Sequence, residues 1–230
     1  MEELLEKLYT DPNSPAGYSG VEQLYKEAKK HVPKITKRQV IEFLEGSRTY
    51  TLHKPRRLRF KRAGVHCSGY MTHCHADLGD FQALARSNKE NRYLLVAMDV
   101  LSHTIFTAPT KSKTAKDMKI AFDKIFDEMP MIPHQLFTDR GMEFESREMK
   151  QYFREKGVIK HCAQSSRIKA ALAERCIRTI KTRLYRYFSE KQTLNWIDAV
   201  PKIVNAINHS VCRTTGLRPV DINFKNAQDV

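Results

Sequence analysis

Three acidic residues occupy positions that suit chemistry better than surface charge. Asp77 lies inside a stretch that reads as a β-strand, and Asp139 directly follows another short apolar segment. Glu174 is the sole acidic residue between Lys156 and Ser189. Most of the 26 acidic residues fall instead on segments that read as surface helices. Asp77, Asp139 and Glu174 are therefore the candidate reactive carboxylates.

The segment around Glu174 is strongly basic, which allows two interpretations. Its cations are Arg167, Lys169, Arg175, Arg178, Lys181, Arg183 and Arg186. In the first interpretation Glu174 forms an ordinary ion pair with Arg178, one helical turn further on. In the second, Glu174 is a metal ligand flanked by cations that bind phosphate, and phosphoryl chemistry on DNA needs both. The residue pattern by itself leaves both open.

The charge of the chain favours a polyanionic partner. The formal net charge is +14 and the isoelectric point is about 9.6. An excess of this size makes nucleic acid the first expectation. No acidic residue occurs between Gly46 and Ala76, and this stretch contains Lys54, Arg56, Arg57, Arg59, Lys61 and Arg62. We expect an extended basic arm that contacts DNA phosphates, a role compatible with a solvated linker or a nuclear address.

The first fifty residues are expected to be helical. Ser19 with Glu22, and Thr36 with Gln39, have the spacing of a capping box at a helix start. Apolar positions after each pair recur at helical spacing. The two helices fit a small helix-turn-helix-like unit and a plain helical hairpin equally well.

The central region alternates between strand and helix patterns. Strands are predicted over residues 72–81, 92–100, 104–108, 135–138 and 158–162, and helices from residue 114 and over 146–156, 167–190 and 194–209, the last kinked or restarted at Pro201. Three antiparallel strands followed by alternating helices and strands indicate an α/β fold with a mixed five-stranded sheet and helices on both faces. This order is typical of a ribonuclease H-like domain.

Cysteine usage and hydropathy exclude two classes of protein. The five cysteines show no CxxC spacing and no disulfide framework of a secreted protein. The longest apolar run is too short to cross a bilayer. We expect reduced thiols and no membrane partner.

Three sequence blocks, taken in order, resemble the catalytic blocks of retroviral-type integrases of the DDE superfamily. They are His75–Leu78, Thr138–Phe144 and Lys169–Lys181. Between Asp139 and Glu174 lie 34 residues, close to the spacing in that family. The stretch Tyr50–Pro55 and the helical segment before it are similar to the integrases of Maverick (Polinton) transposons. The resemblance extends from about residue 18 to residue 223.

The resemblance implies a site and an activity. Asp77, Asp139 and Glu174 would be the metal-binding catalytic carboxylates, holding two Mg²⁺ or Mn²⁺ ions for DNA 3′-end processing and strand transfer. The basic arm, with Lys169, Arg175, Arg178 and Lys181, would bind DNA. A nuclear homodimer or homotetramer would join the two element ends. The implied domains are a helical unit at 1–50, a basic linker at 51–68, a catalytic core at 69–215 and a tail at 216–230.

Other acidic residues and a possible zinc site compete with the assignment of Asp77, Asp139 and Glu174 as metal ligands. Asp80, three residues after Asp77, points to the opposite side of its strand. Asp99 and Glu143 resemble family positions near the site rather than ligands. The zinc-binding unit of retroviral integrases has no counterpart at the start of this chain, although His66, Cys67, His73, Cys74 and His75 lie close together. Zinc at this cluster is conceivable, but an ordinary strand at residues 73–75 is favoured.

Departures from the family pattern leave several functions open. Cys176 and Ile177 replace aromatic and amide residues, and residues 171–173 replace a hydroxyl-containing stretch, which puts substrate contacts in doubt. No C-terminal chromatin-reading or basic barrel domain is recognised, so a fragment, a truncated element and a domesticated copy all fit. An active integrase is favoured over a non-catalytic DNA-binding descendant because the three acids are intact. A nuclease acting on RNA–DNA hybrids is disfavoured by the basic arm.

Overall fold

A computed structural model describes residues 1–54, 67–162 and 171–230. The helices are α1 (Glu2–Thr10), α2 (Val21–His31), α3 (Lys37–Gly46), α4 (Arg48–Leu52), α5 (Ala115–Glu128), α6 (Met142–Glu145), α7 (Arg147–Glu155), α8 (Ala171–Lys191) and α9 (Val200–Asn208). The strands are β1 (His73–Asp80), β2 (Tyr93–Asp99), β3 (Ile105–Thr110), β4 (Gln135–Thr138) and β5 (Ile159–Cys162). Short 3-10 turns lie at Gln82–Ser87, Pro219–Asp221 and Ala227–Asp229.

The strands form one mixed sheet in the order β3-β2-β1-β4-β5. The first three strands are antiparallel neighbours, whereas β4 runs parallel to both β1 and β5. The predicted ribonuclease H-like α/β class, with a helical N-terminal region, is confirmed. The hairpin between β2 and β3 turns around Ser102.

One face of the sheet carries the main hydrophobic core. Alternate residues of the strands, such as Ala76 and Ala97, point to this face because side chains alternate along a strand. They pack against α5 and α7 through the fully buried Phe122, Met149 and Phe153. Burying each such side chain contributes about 1.5–3 kcal/mol. This core fixes the sheet on which Asp77 and Asp139 lie.

The described residues of 1–64 form a second compact unit together with residues 179–210. Its core includes Tyr9, Tyr18 and Leu44. The buried Arg186 side chain donates from Nη1 to the carbonyls of Tyr18 at 2.7 Å and Ser19 at 2.9 Å. Its guanidinium carbon lies 4.7 Å from the centre of the Tyr50 ring. Arg186 therefore has a structural role inside this unit.

The sheet unit comprises the described residues of 65–178 and residues 211–230. The units do not follow the linear boundaries that the sequence predicts, because residues 179–210 pack with the N-terminal helices and residues 211–230 with the sheet. The two units are defined by their compactness, whereas the predicted domains follow the sequence resemblance, so the two divisions need not coincide. The predicted domains 1–50, 51–68, 69–215 and 216–230 stay predictions.

Two details of the helices correct the sequence-based expectations. Helix α2 has Gly20 as its N-cap, and Ser19 Oγ instead donates to the Ala16 carbonyl at 2.7 Å, so the first predicted capping box is wrong. The second is confirmed, with Thr36 and Gln39 bonding each other's backbone N–H. Residues 194–199 are not helical, and α9 begins at Val200 with Pro201 in its first turn. Proline is favoured there because its missing N–H would have no intrahelical partner.

Candidate active site

Strand β1 places Asp77 on the sheet face opposite the main core. Asp77 pairs with Val96 of β2 and is half-buried. Its Oδ1 accepts the Leu78 N–H at 2.8 Å. Burial raises the pKa of Asp77 to about 6, with the Leu78 N–H lowering it and the negative charges of the carboxylates of Asp139, Glu174 and Glu143 adding to the rise. Three other carboxylates are thus close enough to act on Asp77 electrostatically.

The parallel pairing of β1 with β4 brings Asp139 beside Asp77. His73 pairs with Gln135 and His75 with Phe137. Continuing this register by two residues aligns Asp77 with Asp139, the residue that follows β4, on the same side of the sheet. The Oδ1 atom of Asp139 accepts the Gly141 N–H at 3.0 Å, so its carboxylate is held by its own turn.

Helix α8 crosses the same face and carries Glu174. Met98 pairs with His75 across β1 and β2, and its Sδ lies 2.8 Å from Cys176 Sγ of α8. A β-carbon at Gly79 would lie 3.3 Å from Ile177 Cγ2, so the glycine gives the helix a close approach to β1. His75, Asp77 and Gly79 lie on one face of the sheet, because every second residue of a strand points the same way. The negative charge of Glu174, on α8 over this face, raises the pKa of Asp77. Glu174 itself is exposed.

The rival acids have other environments. Asp99 is fully buried, and it accepts the N–H groups of Met71 at 3.0 Å and Ser102 at 2.8 Å and the Ser102 hydroxyl at 2.7 Å. Burial raises the pKa of Asp99, against which these hydrogen bonds act. Asp80 is exposed and accepts two hydrogen bonds from Gln82. Glu143, however, faces the site, since its charge acts on Asp77.

The donor set of the site suits a hard divalent cation. Asp77, Asp139 and Glu174 offer carboxylate oxygens, which Mg²⁺ and Mn²⁺ prefer, and a cation would relieve the repulsion that raises the pKa of Asp77. Within residues 1–54, 67–162 and 171–230, no three histidine, cysteine or acidic side chains are already close enough to enclose an ion. The acids thus fit the metal in chemistry, and ion binding would draw their side chains together.

The histidines and cysteines near residue 70 belong to an ordinary strand. His73, Cys74 and His75 begin β1, and Cys74 is buried in the main core. His73 Nδ1 lies 2.9 Å from the Thr72 hydroxyl. His66 lies outside the described residues, and the described members of the cluster do not form a metal-binding group.

The predicted DNA-binding residues have different outcomes. Lys54 is exposed, with its ammonium 3.3 Å from Glu45 Oε1. Arg175 and Arg178 are exposed on α8 beside Glu174, and Lys181 is half-buried. The remaining ones lie outside the described residues, namely Arg56, Arg57, Arg59, Lys61, Arg62 and Lys169. In contrast, Arg183 and Arg186 of the same helix are buried.

The sequence pattern gave no sign of one ion pair at the site. Lys113 Nζ lies 2.8 Å from Glu143 Oε1. Glu143 has a sequence signal, since it follows Asp139 in the second block, but Lys113 is 30 residues away from its partner in an unremarkable polar stretch. Only the packing of the segment after β3 against the turn after β4 joins them.

Comparison with known families agrees with this geometry. The model of the integrase core domain family matches residues 72–167, which include Asp77 and Asp139. Glu174 lies just beyond the segment that this family model matches.

Two curated proteins are similar in sequence to part of this chain. An uncharacterized transposon-derived protein of Caenorhabditis elegans is 34% identical over 142 residues, which are 60% of this chain and 49% of that protein. The Pol polyprotein of Radiation murine leukemia virus (strain Kaplan) is 31% identical over 142 residues, covering 60% of this chain and 24% of the polyprotein. The chain thus spans about half, or less, of the length of these relatives.

Solved integrases share the fold. A chain of the simian T-cell lymphotropic virus intasome, solved in complex with the PP2A regulatory subunit B56 gamma, superposes with a TM-score of 0.57 at 18% identity over 83% of this chain and 69% of its own. The HTLV-2 integrase catalytic core, solved with magnesium in a trimeric form, superposes with a TM-score of 0.54 at 20% identity, over 65% of this chain and 94% of its own.

Proposed function

We propose that this chain is a DNA integrase or transposase that catalyses metal-dependent 3′-end processing and strand transfer. The observation that carries the proposal is the parallel register of β1 and β4, which aligns Asp77 with Asp139, the residue after β4, in a segment that matches the integrase core domain family. Glu174 joins them from α8 on the same face, close enough to act on the charge of Asp77. The alternative function is that of a domesticated, catalytically inactive DNA-binding protein of the same descent.

Each carboxylate would have a distinct role. Asp77 lies on a sheet strand, and the carboxylate of Asp139 accepts a hydrogen bond within the turn after β4. Glu174 would add a third ligand from an exposed position on α8. Two divalent ions bound there would stabilise negative charge at the attacking and leaving oxygens of a phosphodiester. The three carboxylates would hold these ions in place.

Cations beside the acids would orient the DNA. Arg175 and Arg178 are exposed in the same turns of α8 as Glu174, where guanidinium groups can bind phosphate in bidentate fashion. The basic residues between Lys54 and Arg62 would add phosphate contacts along the DNA. Lys169 and Lys181 would bind DNA phosphates as well.

The remaining features of the proposal concern origin and assembly. The resemblance of Tyr50–Pro55 to Maverick (Polinton) integrases supports a transposon of that type as the source. Joining two DNA ends requires two active sites, so we propose a homodimer or homotetramer that acts in the nucleus.

Among residues 1–54, 67–162 and 171–230, none of the helices has the length and the apolar composition that crossing a membrane requires.

The decisive experiment measures DNA cleavage and joining by the full chain. Labelled duplex ends and a supercoiled plasmid are incubated with the protein in Mg²⁺ or Mn²⁺, and plasmid nicking gives a readout independent of the end sequence. Asp139→Asn and Glu174→Gln should each lose activity by about 100-fold or more, because each removes a negative ligand without changing shape.

Matched controls separate a lost ligand from a lost charge. Asp80→Asn and Glu128→Gln make the same chemical changes at exposed positions outside the site and should retain activity. An inactive parent protein, together with salt-sensitive DNA binding that the site variants leave unchanged, would reject the catalytic proposal. The inactive DNA-binding descendant would then stand.

A further inference from the structure

We propose that Lys113 is a positioning residue that, through its ion pair with Glu143, fixes the turn carrying Asp139. The inference rests on the proposed function, in which Asp139 binds a divalent ion. All the residues concerned lie in the sheet unit. The pair spans the segment between β3 and α5 on one side and the turn after β4 on the other.

The ion pair is sheltered on its acidic side. Lys113 Nζ lies 2.8 Å from Glu143 Oε1, and the Glu143 side chain is 11% exposed against 47% for Lys113. The ammonium also lies 5.2 Å from the centre of the Tyr93 ring, which favours a cation electrostatically. The side chain of Lys113 thus has two partners that hold its end in one place.

The backbone that carries Lys113 is itself fixed. The Thr110 hydroxyl donates to the Ser112 carbonyl at 3.0 Å, and the Ser112 hydroxyl donates to Asp117 Oδ2 at 2.6 Å. Thr114 caps α5 by accepting the Asp117 N–H. These hydrogen bonds tie the end of β3 to the start of α5. Lys113 therefore projects from a segment whose backbone is held by hydrogen bonds. We call its ion pair with Glu143 the brace.

At its other end the brace meets the turn of Asp139. A β-carbon at Gly141 would lie 2.7 Å from the Glu143 carboxylate and 3.0 Å from Asp139 Oδ1, so these groups pack closely against one another. Gly141 also donates its N–H to Asp139. Phe144, which follows Glu143 in the chain, is fully buried in the main core. Glu143 is thus the contact through which Lys113 restrains Asp139.

Electrostatics explains why the brace needs a cation. Glu143 and Asp139 carry like charges and pack against the same glycine, Gly141, so their carboxylates repel each other. Without Lys113, this repulsion favours conformations in which Glu143 leaves the site and loosens its packing on Gly141. Lys113 offsets the negative charge of Glu143 and keeps the turn of Asp139 ordered before any ion arrives.

The test uses the full chain and two readouts that need no DNA. Hydrogen–deuterium exchange without metal reports the order of residues 136–145, and loss of the free-ion electron paramagnetic resonance signal reports Mn²⁺ binding. The variants are Lys113→Met, Glu143→Gln, their combination, and Lys113→Arg, which keeps the charge. Lys111→Met is the matched control, since it removes the same charge from an exposed lysine two residues away.

The brace predicts a specific pattern. Lys113→Met and Glu143→Gln should each speed exchange over residues 136–145 and weaken Mn²⁺ binding by about 3- to 10-fold, and the double variant should be no worse than either, because both remove one interaction. Lys113→Arg and Lys111→Met should resemble the parent.

Other outcomes overturn the inference. Unchanged exchange in Lys113→Met, or additive effects in the double variant, would show that the two residues act independently. Tighter Mn²⁺ binding in Lys113→Met would show that Glu143 is itself a metal ligand. A parent protein that binds no Mn²⁺ would instead contradict the proposed function, whereas exchange would still report whether the brace exists.

Discussion

At the scale of single residues, environment separates acids that face the site from acids that hold the fold. Asp77 accepts one backbone hydrogen bond and is surrounded by like charges. Asp99 lies on the next strand but accepts three hydrogen bonds in a fully buried turn. Both residues lie on strands of the sheet, yet we propose only Asp77 as a cation ligand, because the oxygens of Asp99 already accept these hydrogen bonds.

Replacing Asp99 tests this distinction. Asp99→Ala leaves the N–H groups of Met71 and Ser102 without their acceptor, and buried unpaired donors are costly. The free energy of unfolding should fall by about 2–4 kcal/mol, measured by urea denaturation followed by circular dichroism. Asp80→Ala, at an exposed position, should change it far less. Full stability of Asp99→Ala with loss of Mn²⁺ binding would make Asp99 a ligand instead.

At the scale of elements, register and helix ends determine where the candidate groups lie. The pairing of His73 with Gln135 fixes the alignment of Asp77 with Asp139, and a shift of one residue would move Asp139 to the other face. In the N-terminal region, α3 begins at a complete capping box. Its start is thus defined by local chemistry rather than by tertiary packing.

The capping box makes a prediction for α3. Thr36→Ala removes the acceptor of the Gln39 N–H and should lower the free energy of unfolding by about 1 kcal/mol. Thr36→Ser keeps a hydroxyl cap and should remain within a few tenths of a kcal/mol of the parent. Urea denaturation followed by far-ultraviolet circular dichroism measures both. An alanine variant as stable as the serine variant would contradict a stabilising cap.

At the scale of the whole molecule, net charge and its placement would govern the DNA binding that we propose. The chain has a formal net charge of +14, but the structure divides the cations of α8 into buried and exposed groups. Arg183 and Arg186 are buried, whereas Arg175 and Arg178 are exposed beside Glu174. The exposed pair can contact phosphates without unfolding the helix, whereas Arg183 and Arg186 cannot.

Salt dependence of binding tests the placement of these cations. Replacing Arg175 and Arg178 together by Gln should reduce the slope of log affinity against log salt by about 2, since each phosphate contact contributes about 0.9. Fluorescence anisotropy with a labelled duplex over a salt series measures the slope. Arg147→Gln with Arg154→Gln makes the same charge change on α7, over the opposite face, and should leave the slope nearly unchanged. Equal losses would mean binding through overall charge.

The sequence by itself determined the fold class, the five strands and the identity of the candidate acids. Alternation, helical spacing and turn residues act over a few neighbours, so a local pattern is enough to predict them. The same local reasoning failed where packing decides: at Ser19, which bonds to Ala16 rather than capping α2, and at residues 194–199, which are not helical.

Only the tertiary structure decided which acids share one face and which cations are available. The register of β4 on β1 aligns Asp139 with Asp77, and the packing of α8 over β1 brings Glu174 to them. The pairing of Lys113 with Glu143 likewise joins segments 30 residues apart. Such contacts depend on how distant segments meet, and no spacing within one segment encodes them.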